Sequence, residues 1–159
     1  MASTYEVILL AQTNFTLNAP ECIATLAGTQ NAATSALTAV ALDTDVFDPY
    51  NMHSTVTNNT RITPTVSGRY EIFGLAQFAA NATGGREAFA RLNGTTTIPL
   101  SLSDVGNAGS TFPTGVPLTG VAQFFNGTTD YVELVVNQNS GGTLNVSGSG
   151  LRVRWVRYT

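Results

Sequence analysis

Reactive chemistry is scarce in this chain: among 159 residues there is one cysteine, Cys22, one histidine, His53, and one tryptophan, Trp155. A lone cysteine excludes an intramolecular disulfide and any Cys-rich metal centre. A lone histidine excludes the paired-histidine zinc motif. Lysine is missing, since the seven basic residues are Arg61, Arg69, Arg86, Arg91, Arg152, Arg154 and Arg157, and charged residues are only 11% of the chain, with a net charge of -3. Clustered positive charge is what a nucleic-acid surface or an anionic membrane contact requires, so neither partner is expected. Long apolar runs are absent too. Val7 to Ala11 is far short of the roughly 20 residues of a membrane span and follows no basic leader, so synthesis and folding in a cytosol are expected.

What the chain does contain is Thr, Asn, Ser and Gly together with Val, Phe and Tyr, a composition suited to pleated, half-buried strands joined by tight turns. Ser67-Gly68, Gly84-Gly85, Asn93-Gly94, Asn126-Gly127 and Gly141-Gly142 punctuate the sequence at intervals fit for short antiparallel strands. Both Asn-Gly pairs read as two-residue hairpin turns, the second between Val121–Phe125 and Tyr131–Asn137. Roughly eight to ten strands are expected, the number of a two-sheet jelly roll rather than a small open barrel.

Two segments carry further information. From Tyr70 to Ala80, residues Tyr70, Ile72, Gly74, Ala76 and Phe78 share one face, while Phe73, Leu75 and Ala79 share the other. Both faces are apolar. A sandwich buries only one face of each strand, so Phe73, Leu75 and Ala79 are candidates for a subunit interface. At the end of the chain, Leu151, Val153 and Trp155 alternate with Arg152 and Arg154, giving a strand with an inward and a solvated side. Residues 1–20 break the strand rhythm, with apolar anchors Val7, Ile8, Leu9, Leu10, Phe15 and Leu17 ahead of Pro20. They read as an attachment arm ahead of a single domain at residues 21–159.

Catalytic constellations are few. Cys22 and His53 could be written as a nucleophile and base, yet nothing orients the imidazole or supplies an oxyanion hole. Asp43, Asp45 and Asp48 form the one local acidic cluster; oxygen donors of this kind suit calcium, but the spacing lacks the Gly and distal Glu of an EF-hand, and turn capping is the preferred reading. No catalytic residue, metal or cofactor is assigned, and the chain is read as non-enzymatic.

Several strings are familiar together. Val40-Ala-Leu-Asp-Thr-Asp-Val-Phe-Asp48, Asn51-Met-His-Ser-Thr-Val-Thr-Asn-Asn-Thr-Arg-Ile-Thr63, Ser67-Gly-Arg-Tyr-Glu-Ile-Phe-Gly74, Ala79-Ala-Asn-Ala-Thr-Gly84 and Arg91-Leu-Asn-Gly-Thr-Thr-Thr97 form the first block. Asp130-Tyr-Val-Glu-Leu-Val-Val-Asn-Gln-Asn-Ser-Gly-Gly-Thr-Leu-Asn-Val146 completes it. Taken over residues 23–158, the sequence resembles the C1q-like jelly-roll domains, related to the complement globular head and of tumour-necrosis-factor (TNF) type, that occur in bacteriophage and bacterial proteins. The resemblance implies a ten-stranded TNF/C1q-like jelly-roll sandwich and a homotrimer. Two departures matter: no collagen-like repeat and no heptad coiled coil precedes the domain, and Ser101 to Leu118, rich in Gly and Pro, reads as an exposed loop.

The function expected from the resemblance is a trimeric bacteriophage capsid decoration (cement) protein. It would sit on the capsid exterior of the virion, with the arm holding the major capsid protein. The alternative is a head or tail fibre tip recognising a host surface glycan or receptor through the loops Asp104–Pro117 and Asn139–Gly142.

Overall fold

The structure is a computed structural model and describes residues 19–106 and 112–158. These form thirteen strands: β1 (Glu21–Thr25), β2 (Thr29–Ala32), β3 (Thr38–Ala39), β4 (Thr44–Phe47), β5 (Arg61–Ile62), β6 (Gly68–Phe78), β7 (Arg86–Leu92), β8 (Thr96–Thr97), β9 (Ser103–Val105), β10 (Thr114–Phe125), β11 (Val132–Gln138), β12 (Leu144–Ser147) and β13 (Gly150–Arg157). No helix occurs among the described residues. Thirteen exceeds the ten strands expected, three of them, β3, β5 and β8, having only two residues each.

All pairings are antiparallel and fall into two sheets. In the first, β6 takes β10 along one edge and β13, then β12, along the other; β1 and β4 follow β13, and β2 follows β12. In the second, β11 and β7 lie at the centre, flanked by β3 and β5 on one side and by β8 and β9 on the other. Between the sheets lies one core. It takes Tyr70, Ile72, Ala76 and Phe78 from β6, Val116, Leu118, Val121 and Phe125 from β10, Val132, Leu134 and Val136 from β11, and Leu151 and Val153 from β13. Tyr70 meets Phe125 edge to face at 5.6 Å, and its hydroxyl donates to the Val66 carbonyl at 2.7 Å, so its polar end is satisfied inside the core.

Strand parity explains an irregularity in β10. Val116 and Leu118 lie at even positions and Val121 and Phe125 at odd ones, so a regular strand would turn one pair away from the core. The register shifts between Leu118 and Val121, where Leu118 is paired with Gly74 and Val121 with Ile72. Thr119 and Gly120 thus stand opposite Phe73 alone, a β-bulge that returns Val121 and Phe125 to the inside. Among the described residues β10 pairs only with β6, so Pro117 stands on an edge strand, where proline is accepted.

Some sequence expectations need correction. Asn93-Gly94 does turn a hairpin, with both residues at positive φ (51° and 72°) between β7 and β8. Asn126-Gly127 does not, because β10 belongs to the first sheet and β11 to the second. Its Asn126 carboxamide oxygen instead accepts the N–H groups of Thr128, Thr129 and Asp130, folding a crossover between sheets. Ser101 to Leu118 is not one loop either, since β9 and the first residues of β10 lie within it and Val116 and Leu118 are core residues.

Candidate functional site

The outer face of the first sheet is where apolar surface remains in the open. On β6 the side chains alternate as expected: even positions enter the core, while Phe73 and Leu75 are 38% and 41% exposed. Register places neighbours beside them. Phe73 is paired with Arg152, Arg152 with Ile23, and Ile23 with Phe47; Leu75 is paired with Gly150 on one side and Pro117 on the other. Ile23, Phe73 and Leu75 line a shallow apolar depression of about 330 Å³ floored by Gly150. Phe47, Phe124 and Val156 extend the exposed apolar set. Ala79 parts from this group: it lies beyond the end of β6 and packs against the core instead. The strand stops at Phe78, so the alternation that would have turned Ala79 outward no longer applies.

The arm residues Val7, Ile8, Leu9, Leu10, Phe15 and Leu17 lie outside the described residues. Where description begins, Pro20 is already buried and its carbonyl accepts the Trp155 N–H at 2.7 Å. The chain therefore enters the domain beside the last strand.

His53 is fully engaged. Its side chain is buried, with Nδ1 2.5 Å from the Asp45 carboxylate and Nε2 3.1 Å from the Asn59 carbonyl. Neither nitrogen is left to take a proton from a substrate. Cys22 points into the core from β1, and burial, reinforced by the charges of Asp48, Asp45 and Glu21, pushes its thiol pKa far up. A desolvated thiol held neutral is a poor nucleophile, so the two residues form no catalytic pair.

The three aspartates serve separate local tasks. Asp43 accepts the N–H groups of Ala27 and Gly28, Asp45 holds His53, and Asp48 accepts those of Met52 and His53. Among the described residues no group of three or more His, Cys, Asp or Glu side chains is arranged around a metal position.

Two arrangements have no signal in the sequence. Glu133, almost completely buried on β11, accepts two bonds from the Arg91 guanidinium at 3.0 and 3.2 Å and one from the Thr60 hydroxyl. At the other end of the same strands, Asn137 is paired with Glu87, and Glu87 with Asp104, so three oxygen-bearing side chains stand in one row beside a polar cleft of about 370 Å³. Both groupings join residues tens of positions apart. Only the register reveals them.

No protein-family model and no curated protein sequence matches the chain. Solved structures do. The Eiger TNF of S. frugiperda superposes with a TM-score of 0.59 at 10% identity, over 88% of this chain and 95% of that one. Murine APRIL gives a TM-score of 0.59 at 12% identity, over 86% and 98%. At such identities the likeness concerns the fold alone: the chain is an all-β jelly roll of the TNF type.

Proposed function

We propose that the chain is a non-enzymatic structural protein of a bacteriophage virion, a homotrimer that decorates and stabilises the outer capsid surface. The observation that carries the trimer is the exposed apolar row on the first sheet. Phe47, Ile23, Phe73 and Leu75, with Pro117 and the depression beside them, leave apolar surface in the open on both sides of Arg152, whose guanidinium is paired with Glu21, a grouping suited to a partner surface. A second copy of the same surface is the partner that a homo-oligomer supplies, and closed threefold symmetry would cover all three copies at once.

Attachment is assigned to residues 1–20. The chain enters the domain at Pro20 beside β13, so three such segments would leave one trimer, and three modest contacts with the major capsid protein would act as one firm hold. A role in covering a surface agrees with the engaged state of His53 and the buried state of Cys22, which leave neither for covalent chemistry. Synthesis in the host cytoplasm and residence on the capsid exterior follow from the same reading.

The test is deletion of residues 1–18. The shortened chain is expected to remain a folded trimer by sedimentation and to lose its occupancy on purified capsids. Undiminished occupancy would refute attachment through the arm, and a monomeric full-length chain would refute the trimer.

A further inference from the structure

We propose that the outward face of the second sheet, centred on Phe89 and Val135, is the seat of the chain's own residues 1–18. The inference goes beyond capsid attachment and rests on no part of it.

It starts from a contrast between the two sheets. Alternation along β7 and β11 sends Ala88, Ala90, Leu134 and Val136 into the core and turns Phe89 and Val135, which are paired with each other, outward. Neither belongs to the core cluster. On the first sheet, Phe73 and Leu75 hold outward positions on the central strand β6 and are 38% and 41% exposed. Phe89 is 4% exposed and Val135 0%. A side chain on the outside of a sheet is lost to water only when something lies across it. The Asn137 Oδ1, two positions further along β11 on the same face, is enclosed as well, so the covered area extends along the strand.

The flanking described residues do not supply that cover. Leu102 precedes the Ser103 that pairs with Ala88, Leu37 precedes the Thr38 that pairs with Val136, and each of these leucines is itself 57% exposed. Arg91 and Glu133, next along the two strands, are joined to each other. Ala39, paired with Val135, carries a single methyl group.

The chemistry of the chain outside the described residues selects the occupant. Residues 107–111 read Asn-Ala-Gly-Ser-Thr, polar and short, and they follow Val105, which pairs with Arg86 at the far end of β7. Residues 1–18 carry Val7, Ile8, Leu9, Leu10, Phe15 and Leu17, the side chains that an apolar seat takes. From Pro20, beside β13, a segment of this length reaches up to about 60 Å when extended, several times the roughly 10 Å between packed sheets. A segment that leaves the first sheet and ends on the second straps the sandwich. In the free chain the seat shields these side chains; on a capsid they would exchange one apolar surface for another.

The experiment uses the free, full-length chain. In the parent sequence with isotopically labelled Ile, Leu and Val methyl groups, Val135 is expected to give NOEs to at least one of Val7, Ile8, Leu9, Leu10 and Leu17. With p-benzoylphenylalanine in place of Phe89, irradiation should link that position to residues 1–18 of the same chain, seen as a monomer band on a denaturing gel and located by peptide mass spectrometry. Ile8→Asp combined with Leu9→Asp should lower Tm by about 5 °C and raise the fluorescence of an added apolar dye. The proposal is overturned if Val135 gives no NOE to residues 1–18, if the links fall only on other residues or join two chains, or if the double variant leaves Tm and dye fluorescence unchanged. No capsid is present in these measurements, so this inference and capsid attachment fail separately.

Discussion

The Phe73 ring lies over the backbone of Gly120, so closely that a Cβ added to Gly120 would sit 2.5 Å from the ring edge. The β-bulge and the exposed aromatic are thus one construction: the extra residue in β10 restores core parity, and its missing side chain lets Phe73 lie flat on the outer face. Gly120→Ala should leave the core intact and lift the ring. The expected outcome is a small change in Tm, within about 1 kcal/mol of the parent, with trimer dissociation at concentrations where the parent is fully assembled. Sedimentation velocity over a dilution series measures it; an unaltered trimer would show that Phe73 does not pack at a subunit contact.

Placing a charge at the same spot is a stronger perturbation of the interface and a weak one of the monomer. Phe73 and Leu75 are more than a third exposed in the isolated chain, so Phe73→Asp or Leu75→Asp creates no buried charge within a subunit. Both variants should fold, by circular dichroism, and remain monomeric. Parental Tm should rise with protein concentration, because assembly stabilises the folded state by mass action, and that dependence should vanish in the variants.

Glu133 is the least exposed carboxylate described, and it is held by Arg91 and Thr60, with Arg61 3.9 Å away. Arg61 also lies 4.1 Å over the Tyr131 ring. Glu133→Gln keeps the shape and removes the charge, leaving the half-buried Arg91 guanidinium without its counterion. A loss of about 2 kcal/mol is expected in chemical denaturation, the scale of hydrogen bonds to charged groups in partly screened surroundings. Glu87→Gln, at the cleft, should move stability the other way.

Asp43 sets a pH dependence. The Ala27 N–H donating to its carboxylate, supported by the Thr44 hydroxyl and the Gly28 N–H, holds its pKa below the ordinary carboxylate value. A depressed folded-state pKa stabilises the fold at pH values above the unfolded value of about 3.9, and that contribution fades as pH falls through the lower folded value. Asp43 is exposed, so the effect is small. Asp43→Ala should lower Tm near neutral pH, and the gap from the parent should narrow in acid below about pH 4.

Much of this architecture was legible in one dimension, because alternation along a strand is a local property. Tyr70, Ile72, Ala76 and Phe78 entering the core, Phe73 and Leu75 remaining outside, Arg86 to Leu92 forming a strand, and Asn93-Gly94 turning it all follow from side-chain parity and the φ preferences of Asn and Gly. Local signals failed where an outcome depended on which sheet receives the next strand. Asn126-Gly127 has hairpin composition but joins two sheets, and Thr114 to Leu118 has loop composition but completes an edge strand.

By itself, then, the sequence determined the strand class, the apolar second face of β6 and the poverty of catalytic groups, since each depends on residue type and near neighbours. Tertiary structure alone decided that Gly120 would receive Phe73, that Arg91 would neutralise Glu133, and that Glu87, Asp104 and Asn137 would share a row. Those pairings come from register between strands distant in the chain, and a one-residue slip would have sent every one of these side chains to the other face.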